Sequence, residues 1–296
     1  MKKSLVALCA LMLPLVAGAA RLPVVASFSI VADLTRQIGA DRVEVTSLVG
    51  PDQDVHVFQP TPADIRRLSQ AKVFVINGLG LEGWLGRLGK SAHFSGVTIE
   101  AAAGVPPLAM REAAAGGHDH HEGMDPHAWQ DPQRVLVYVD TIARGLSRAD
   151  PQGKALFEAR AAALRQRIAA LDAWAAKGFA AIPAERRTVL TSHDAFGYLA
   201  DRYKVRFIAP QGVSTEAEAS AKGVATLIRQ IRREKVRAVF FENMTDPRLL
   251  KQIAREGGVD VTSKLYSDAL SAPGTVADTW EKMFRYNVST ILASFK

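Results

Sequence analysis

The hydrophobic pattern of the chain switches repeatedly between two periods. Short β-rich runs at 23–27, 43–49 and 73–77 are separated by stretches with apolar residues at helical spacing, and Gly39, Gly50-Pro51 and Gly78 mark the changes. Thr61-Pro62-Ala63-Asp64 opens one of these helices with a capping residue, a proline at the first helical position and an acid three residues on. Asp131-Pro132 does the same for a helix over 131–148, which Asp150-Pro151 ends. The longest helical pattern runs over 152–179 and carries the stripe Leu164, Ile168, Leu171, Ala175, with Gly178 and Pro183 at its end. At ~1.5 Å per residue it spans roughly 40 Å, enough to cross a domain, which predicts a connector. The second half then repeats the strand and helix logic. Strands are expected at 188–191, 205–208, 236–241 and 259–266. Helices are expected at 195–203, from between Thr215 and Ser220 to about Arg233, after Asp246-Pro247, and over 276–295. Thr215 and Glu218 have the spacing of a capping box. The fold expected is therefore α/β: two α/β lobes joined by one long helix, with residues 21–150 in the N-terminal lobe, 151–183 in the connector and 184–296 in the C-terminal lobe.

Residues 1–20 stand apart from this pattern. Met1-Lys2-Lys3 precedes a run over 4–20 that is apolar except for Ser4, too short to span a bilayer comfortably and ending in small residues. That describes a cleaved secretory signal peptide, with Ala17-Gly18-Ala19 as the cleavage pattern, and implies export to the periplasm. Cys9, the only cysteine, lies inside it behind Leu8, where a lipid-attachment site wants a small residue, so a soluble protein is expected rather than a lipoprotein. Without cysteine the mature chain has neither a disulfide nor a thiolate metal site.

A hydrophobic share of 48% and a charged share of 23% are those of an ordinary globular chain, and no second segment reaches membrane-spanning length. The net charge of +7 is spread along the chain rather than gathered with aromatics, and Arg232-Arg233-Glu234-Lys235 reads as the exposed end of a helix. Nucleic acid is therefore not an expected partner.

The candidate chemistry is imidazole and carboxylate. Four of the 7 histidines fall within 117–132. His118, His120 and His121 lie in a Gly-flanked acidic tract without apolar periodicity, which reads as a solvated loop. His127 sits in Met124-Asp125-Pro126-His127, where Pro126 biases Asp125 toward extended backbone and the Asp131-Pro132 helix start follows closely. His56, His193 and Asp268 each lie past the C-terminal end of an expected strand, the position where open α/β sheets bind ligands. Singly, His56 reads as a loop residue, Asp268 as a cap and His127 as a histidine packed in a turn. His93, between Ala92 and Phe94, reads as structural or solvent-facing. Together the four fit a metal site whose parts come from both lobes.

The words GPDQDVHVFQPTPADI, MDPHAWQDP, TSHDAFGYLADRY, FIAPQGVSTEAEAS, FFENMTDP and KLYSDALS carry a resemblance over essentially the whole chain. The chain resembles the solute-binding proteins of bacterial ABC importers for zinc and manganese. The resemblance implies two α/β lobes joined by a rigid helix, with the metal in the interlobe cleft on His56, His127, His193 and Asp268. It aligns 118–122 with the His/acid loop of zinc members, here short and assigned only weak capture. Val55 stands where some zinc relatives have a glutamate, which favours Asp268 as the fourth ligand.

Imidazole suits zinc and oxygen donors suit manganese, so three nitrogens and one oxygen favour Zn2+ over Mn2+. The resemblance implies a carboxylate at the place of His193 in manganese members, which makes that residue the most diagnostic. The expected function is a monomeric, non-enzymatic zinc-capture protein that hands its ion to an ABC membrane permease with a cytoplasmic ATPase. The alternatives are another divalent cargo, manganese first, or an exported zinc hydrolase. The hydrolase would need an open position for water, which Asp268 closes, and no H-E-x-x-H is present.

Overall fold

The computed structural model describes residues 20–110 and 123–296, apart from 217, 235 and 237. All of the expected signal peptide but its last residue, and with it His118, His120 and His121, lie outside the described residues.

The first half forms β1 (Leu22–Phe28), α1 (Ser29–Gly39), β2 (Val43–Val49), α2 (Pro62–Gln70), β3 (Val73–Ile76), α3 (Leu85–Ala92), β4 (Val97–Glu100) and α4 (Pro132–Ala149). Its strands pair in parallel in the order β2-β1-β3-β4. Every residue of β3, and β1 from Val24 onward, is buried, as expected of central parallel strands covered on both faces. The α2 start forms as written in the sequence: Asp64 N–H donates to Thr61 Oγ1 (3.3 Å) and Thr61 N–H to Asp64 Oδ2 (2.9 Å). Asp131 likewise caps α4 by accepting from Gln133 N–H at 2.9 Å.

After α5 (Lys154–Ala180) come β5 (Thr188–Leu190), α6 (Gly197–Tyr203), β6 (Arg206–Ile208), α7 (Ala221–Glu234), β7 (Ala238–Glu242), α8 (Arg248–Gly257), β8 (Ser263–Leu265) and α9 (Trp280–Ser294). The second sheet is also parallel, in the order β6-β5-β7-β8. The two sheets thus share one strand order, with the connection reversing direction beside the first strand of each. That reversal opens a crevice past the strand ends.

The α5 stripe Leu164, Ile168, Leu171, Ala175 is buried and extends to Phe157 and Phe179. It packs on α1 and α4 of the first lobe and on α6 and α9 of the second. One apolar core runs through both lobes: Phe28 meets Trp129 in the first (ring centroids 5.0 Å apart), Trp280 stacks on Phe284 in the second (5.4 Å), and Trp280 Nε1 donates to Trp129 O (2.9 Å) between them. A smaller cluster, with Leu227, Ile231, Leu250 and Ile253, lies under α7 and α8.

Four details depart from the sequence pattern. Helix α9 starts at Trp280 rather than 276, because Ser271 Oγ accepts from Ala277 N–H (3.0 Å) and closes a loop, and Thr279 is the cap. Helix α7 starts at Ala221, with Ser220 Oγ accepting from Gly223 N–H (3.1 Å), so the Thr215 and Glu218 spacing does not cap it. Strand β8 is shorter than the apolar run around it. Helix α3 and the edge strand β4 occupy a stretch in which no element is expected.

Candidate metal centre

The four residues picked out by the sequence come together. His56 stands in the loop after β2, His127 just before α4, His193 after β5 and Asp268 after β8, two from each lobe. Their ligand atoms all lie within 4.8 Å of one another, and all four residues are buried. Asp268 Oδ2 is 3.0 Å from His193 Nε2 and 3.3 Å from His56 Nε2, and Oδ1 is 3.6 Å from His127 Nε2. The Nε2 atoms of His56 and His127 are 3.3 Å apart. A tetrahedral ion with bonds of about 2.0–2.1 Å has ligand edges of roughly 3.3–3.4 Å, so these separations fit a small divalent cation.

The polar atoms face one another without satisfying one another. Asp268 Oδ1 and Oδ2 and His193 Nε2 are buried and have no aligned hydrogen-bond partner, although ion-pair distances link them. Buried carboxylate oxygens left in this state are costly unless a cation shares them.

Each ring is held from behind. Asp125 Oδ1 accepts from the His127 backbone N–H (2.9 Å) and lies 2.8 Å from Nδ1, an arrangement that favours a proton on Nδ1 and turns Nε2 toward the cluster. Glu242 Oε1 accepts from the backbone N–H of Ser192 (2.9 Å) and His193 (3.0 Å), while Oε2 lies 2.5 Å from His193 Nδ1, a charge contact without hydrogen-bond alignment. Asp54 Oδ1 accepts from His56 N–H at 2.9 Å. Ser267 O accepts from Trp129 Nε1 (2.8 Å) and Gln130 Nε2 (2.9 Å), which fixes the turn carrying Asp268 against the segment carrying His127.

The charges shift one another. Burial disfavours the protonated His193 ring, but Glu242 and Asp268 outweigh it and hold its pKa well above the usual value. Burial also disfavours the Asp268 anion, yet the His193 and His127 rings pull its carboxyl well below the usual carboxylate range. At neutral pH the ionised Asp268 carboxylate thus faces a protonated His193 ring, whose proton a metal ion can replace.

Sequence reasoning missed Asp54, Asp125 and Glu242 as supports. Glu242 had a readable signal: it is a carboxylate directly ending the apolar run Ala238-Val239-Phe240-Phe241, and the structure buries it fully. Asp125 had a weaker one, its place before Pro126 and two residues ahead of a histidine. His93 is apart from the site, an exposed left-handed C-cap of α3 (φ 47°).

Residues 24–294 match the family described as ZnuA, the periplasmic component A of the zinc-uptake complex. The manganese-binding lipoprotein MntA of Bacillus subtilis is 32% identical over 285 residues, covering 93% of this chain and 90% of its own length. MntA of Halalkalibacterium halodurans is 30% identical over 272 residues, covering 92% and 88%. The periplasmic zinc-binding protein TroA of Treponema pallidum superposes with a TM-score of 0.87 at 29% identity, over 93% of this chain and 99% of that one. Two parallel-sheet lobes, a His/Asp cluster shared between them and a match along almost the whole chain lead to one conclusion: the chain belongs to the ZnuA family of substrate-binding proteins of metal ABC transporters.

Proposed function

We propose that this protein captures a zinc ion in the periplasm, on His56, His127, His193 and Asp268, and delivers it to a membrane permease driven by a cytoplasmic ATPase. One observation carries the reading: three imidazole nitrogens and one carboxylate, with ligand-atom separations of 3.0–3.6 Å around Asp268, form a donor set suited to tetrahedral Zn2+. Asp268 fills the fourth position, so no place is left for the activated water that a zinc hydrolase needs. The protein acts as a monomer, is exported by the leader 1–20, and is built of lobes 21–150 and 184–296 on the connector 151–183.

Manganese is the second reading, and the names of the two MntA relatives favour it. The spacing admits either ion. Zinc binds more tightly than manganese at almost any nitrogen and oxygen site, so affinity alone does not decide the cargo. The deciding experiment is elemental analysis of untagged protein purified from a periplasmic extract. One zinc per chain is expected; stoichiometric manganese in zinc-replete cells would transfer the assignment to manganese. Protein carrying no metal, and binding none after dialysis against either ion, would end both readings.

A further inference from the structure

Residues 211–215, between β6 and α7, are fastened on two sides of the metal centre. On one side it is tied to the His193 segment: Gln211 pairs with His193 as a parallel bridge, and Gly212 O accepts from Asp194 N–H at 3.1 Å. On the other side Thr215 Oγ1 donates to Asp54 Oδ2 at 2.7 Å, a bond between residues 161 positions apart and from opposite lobes. The same carboxylate uses its other oxygen, Oδ1, to hold the backbone N–H of His56 at 2.9 Å. One carboxylate thus clasps a ligand-bearing loop of the first lobe and a strap of the second.

The position of the clasp matters because of where the centre is thin. His127, His193 and Asp268 have no exposed surface, whereas His56 retains 7%. The His56 side is therefore where a bound ion comes nearest to solvent, and the strap lies on that side. Elsewhere the lobes are joined by bonds that do not involve the strap, such as Asp52 N–H to Leu270 O (2.9 Å) and Leu270 N–H to Ser29 Oγ (2.9 Å). Releasing Thr215 would free the strap while leaving those joints intact. Thr215 is also the residue whose expected helix-capping role the structure does not use, since Ser220 caps α7.

We propose that Asp54 and Thr215 form an interlobe latch that sets the rate of metal release, with Thr215 as a positioning residue rather than a ligand. This rests on the metal-capture reading above. A hydroxyl-to-carboxylate bond across a nearly closed gate must break before the ion leaves, and bonds to charged groups are among the stronger ones. Its loss is expected to fall on the dissociation rate, because a bond that closes over the ion after capture slows its exit and not its entry.

The test is Thr215→Val, which keeps the shape and removes the hydroxyl, beside Thr215→Ser, which keeps the hydroxyl. Zinc-loaded protein is mixed with excess chelator in a stopped-flow instrument, and the association rate is measured separately with metal-free protein. Thr215→Val is expected to release zinc roughly tenfold or more faster, with association changed less than about threefold, and Thr215→Ser to behave like the parent. Parental release from Thr215→Val would overturn the latch, as would equal acceleration in both variants or a matching fall in association, each pointing to general loosening. The melting temperature of the metal-free variants, expected to equal the parent's, checks the fold. If the parent itself holds no ion, the metal-capture reading falls together with the latch. If the parent holds zinc and only the release pattern disagrees, the latch alone is wrong.

Discussion

At His193 burial and charge oppose each other, and charge wins because two carboxylates, Glu242 and Asp268, stand at its two ring nitrogens. A neutral ring that coordinated a metal from Nε2 would carry its proton on Nδ1, and Glu242, beside Nδ1, is the group that would favour that tautomer. Glu242→Gln keeps the volume but presents an amide whose N–H₂ competes for the same side of the ring. Zinc affinity is expected to fall roughly 10–100-fold in that variant, as for other supports of metal-bound histidines, in a chelator-competition titration. An unchanged affinity would mean that Glu242 serves only the backbone N–H groups of Ser192 and His193. His193→Glu addresses the metal itself. It replaces one imidazole by a carboxylate and is expected to weaken zinc more than manganese, so that the ratio of the two affinities drops while zinc still binds more tightly in absolute terms. Competition titration of parent and variant reads that ratio, and His93→Glu, at an exposed cap, should leave it alone. A ratio unmoved in folded His193→Glu protein would remove His193 from the ligand set.

Two elements carry predictions of their own. The described residues that flank 111–122 are joined to each other: Met110 N–H donates to Gly123 O (3.1 Å) and Asp125 N–H to Leu108 O (2.9 Å). Deleting 118–122 is therefore expected to leave Asp125 and His127 in place. The tight Kd is expected to stay nearly unchanged and only weak additional binding to disappear in isothermal titration; a large loss of tight affinity would show that the loop supplies a ligand. Helix α1 is fastened to α9 by Asp33, whose Oδ2 accepts from Trp280 N–H (2.8 Å) and Gln37 Nε2 (2.9 Å). Burial raises the Asp33 pKa from 3.8 to about 6, more than these two bonds lower it. The unfolded chain therefore ionises first, and stability is lost as pH rises from about 4 to about 6. An asparagine carbonyl placed at Oδ2 keeps both bonds without a buried charge. Asp33→Asn should stabilise the metal-free protein by on the order of 3 kcal/mol above pH 6, with the gain vanishing toward pH 4. Urea melts at several pH values check this, and a pH-independent difference would refute the assignment to ionisation.

For the molecule as a whole, metal binding and folding are one linked equilibrium. An ion that binds only the folded chain stabilises it by about 4 kcal/mol at a thousandfold excess over Kd. For a chain of this size that raises the melting temperature by on the order of ten degrees. The pH dependence follows from His193. Its raised pKa stabilises the metal-free fold fully below the unfolded value near 6.5, and this contribution is lost as pH rises through the folded value. If His193 coordinates the ion, its ring must be neutral and zinc must displace that proton, so the zinc-induced rise in melting temperature should grow from pH 6 to pH 8. Differential scanning fluorimetry of chelator-stripped protein with and without zinc measures it. A rise that is the same at every pH would argue against coordination by His193.

The sequence by itself determined the local elements, because their causes are local. Hydrophobic period, the Thr61 and Asp131 caps and the breaks at glycine and proline act within a few residues, and so does the α5 stripe. It also singled out His56, His127, His193 and Asp268, by their places after strands and before a helix and by resemblance. Contacts between distant segments lay beyond it. Nothing near Thr215 announces Asp54, 161 residues away, so a hydroxyl whose spacing allows a capping box has its partner in the other lobe. Nothing near Glu242 announces that its carboxylate stands behind His193, 49 residues earlier, because sheet order alone brings β5 beside β7. The continuous core through Phe28, Trp129 and Trp280 is likewise a product of packing. A side chain's residue type states what it can bond to, and only the tertiary fold decides which group comes within reach.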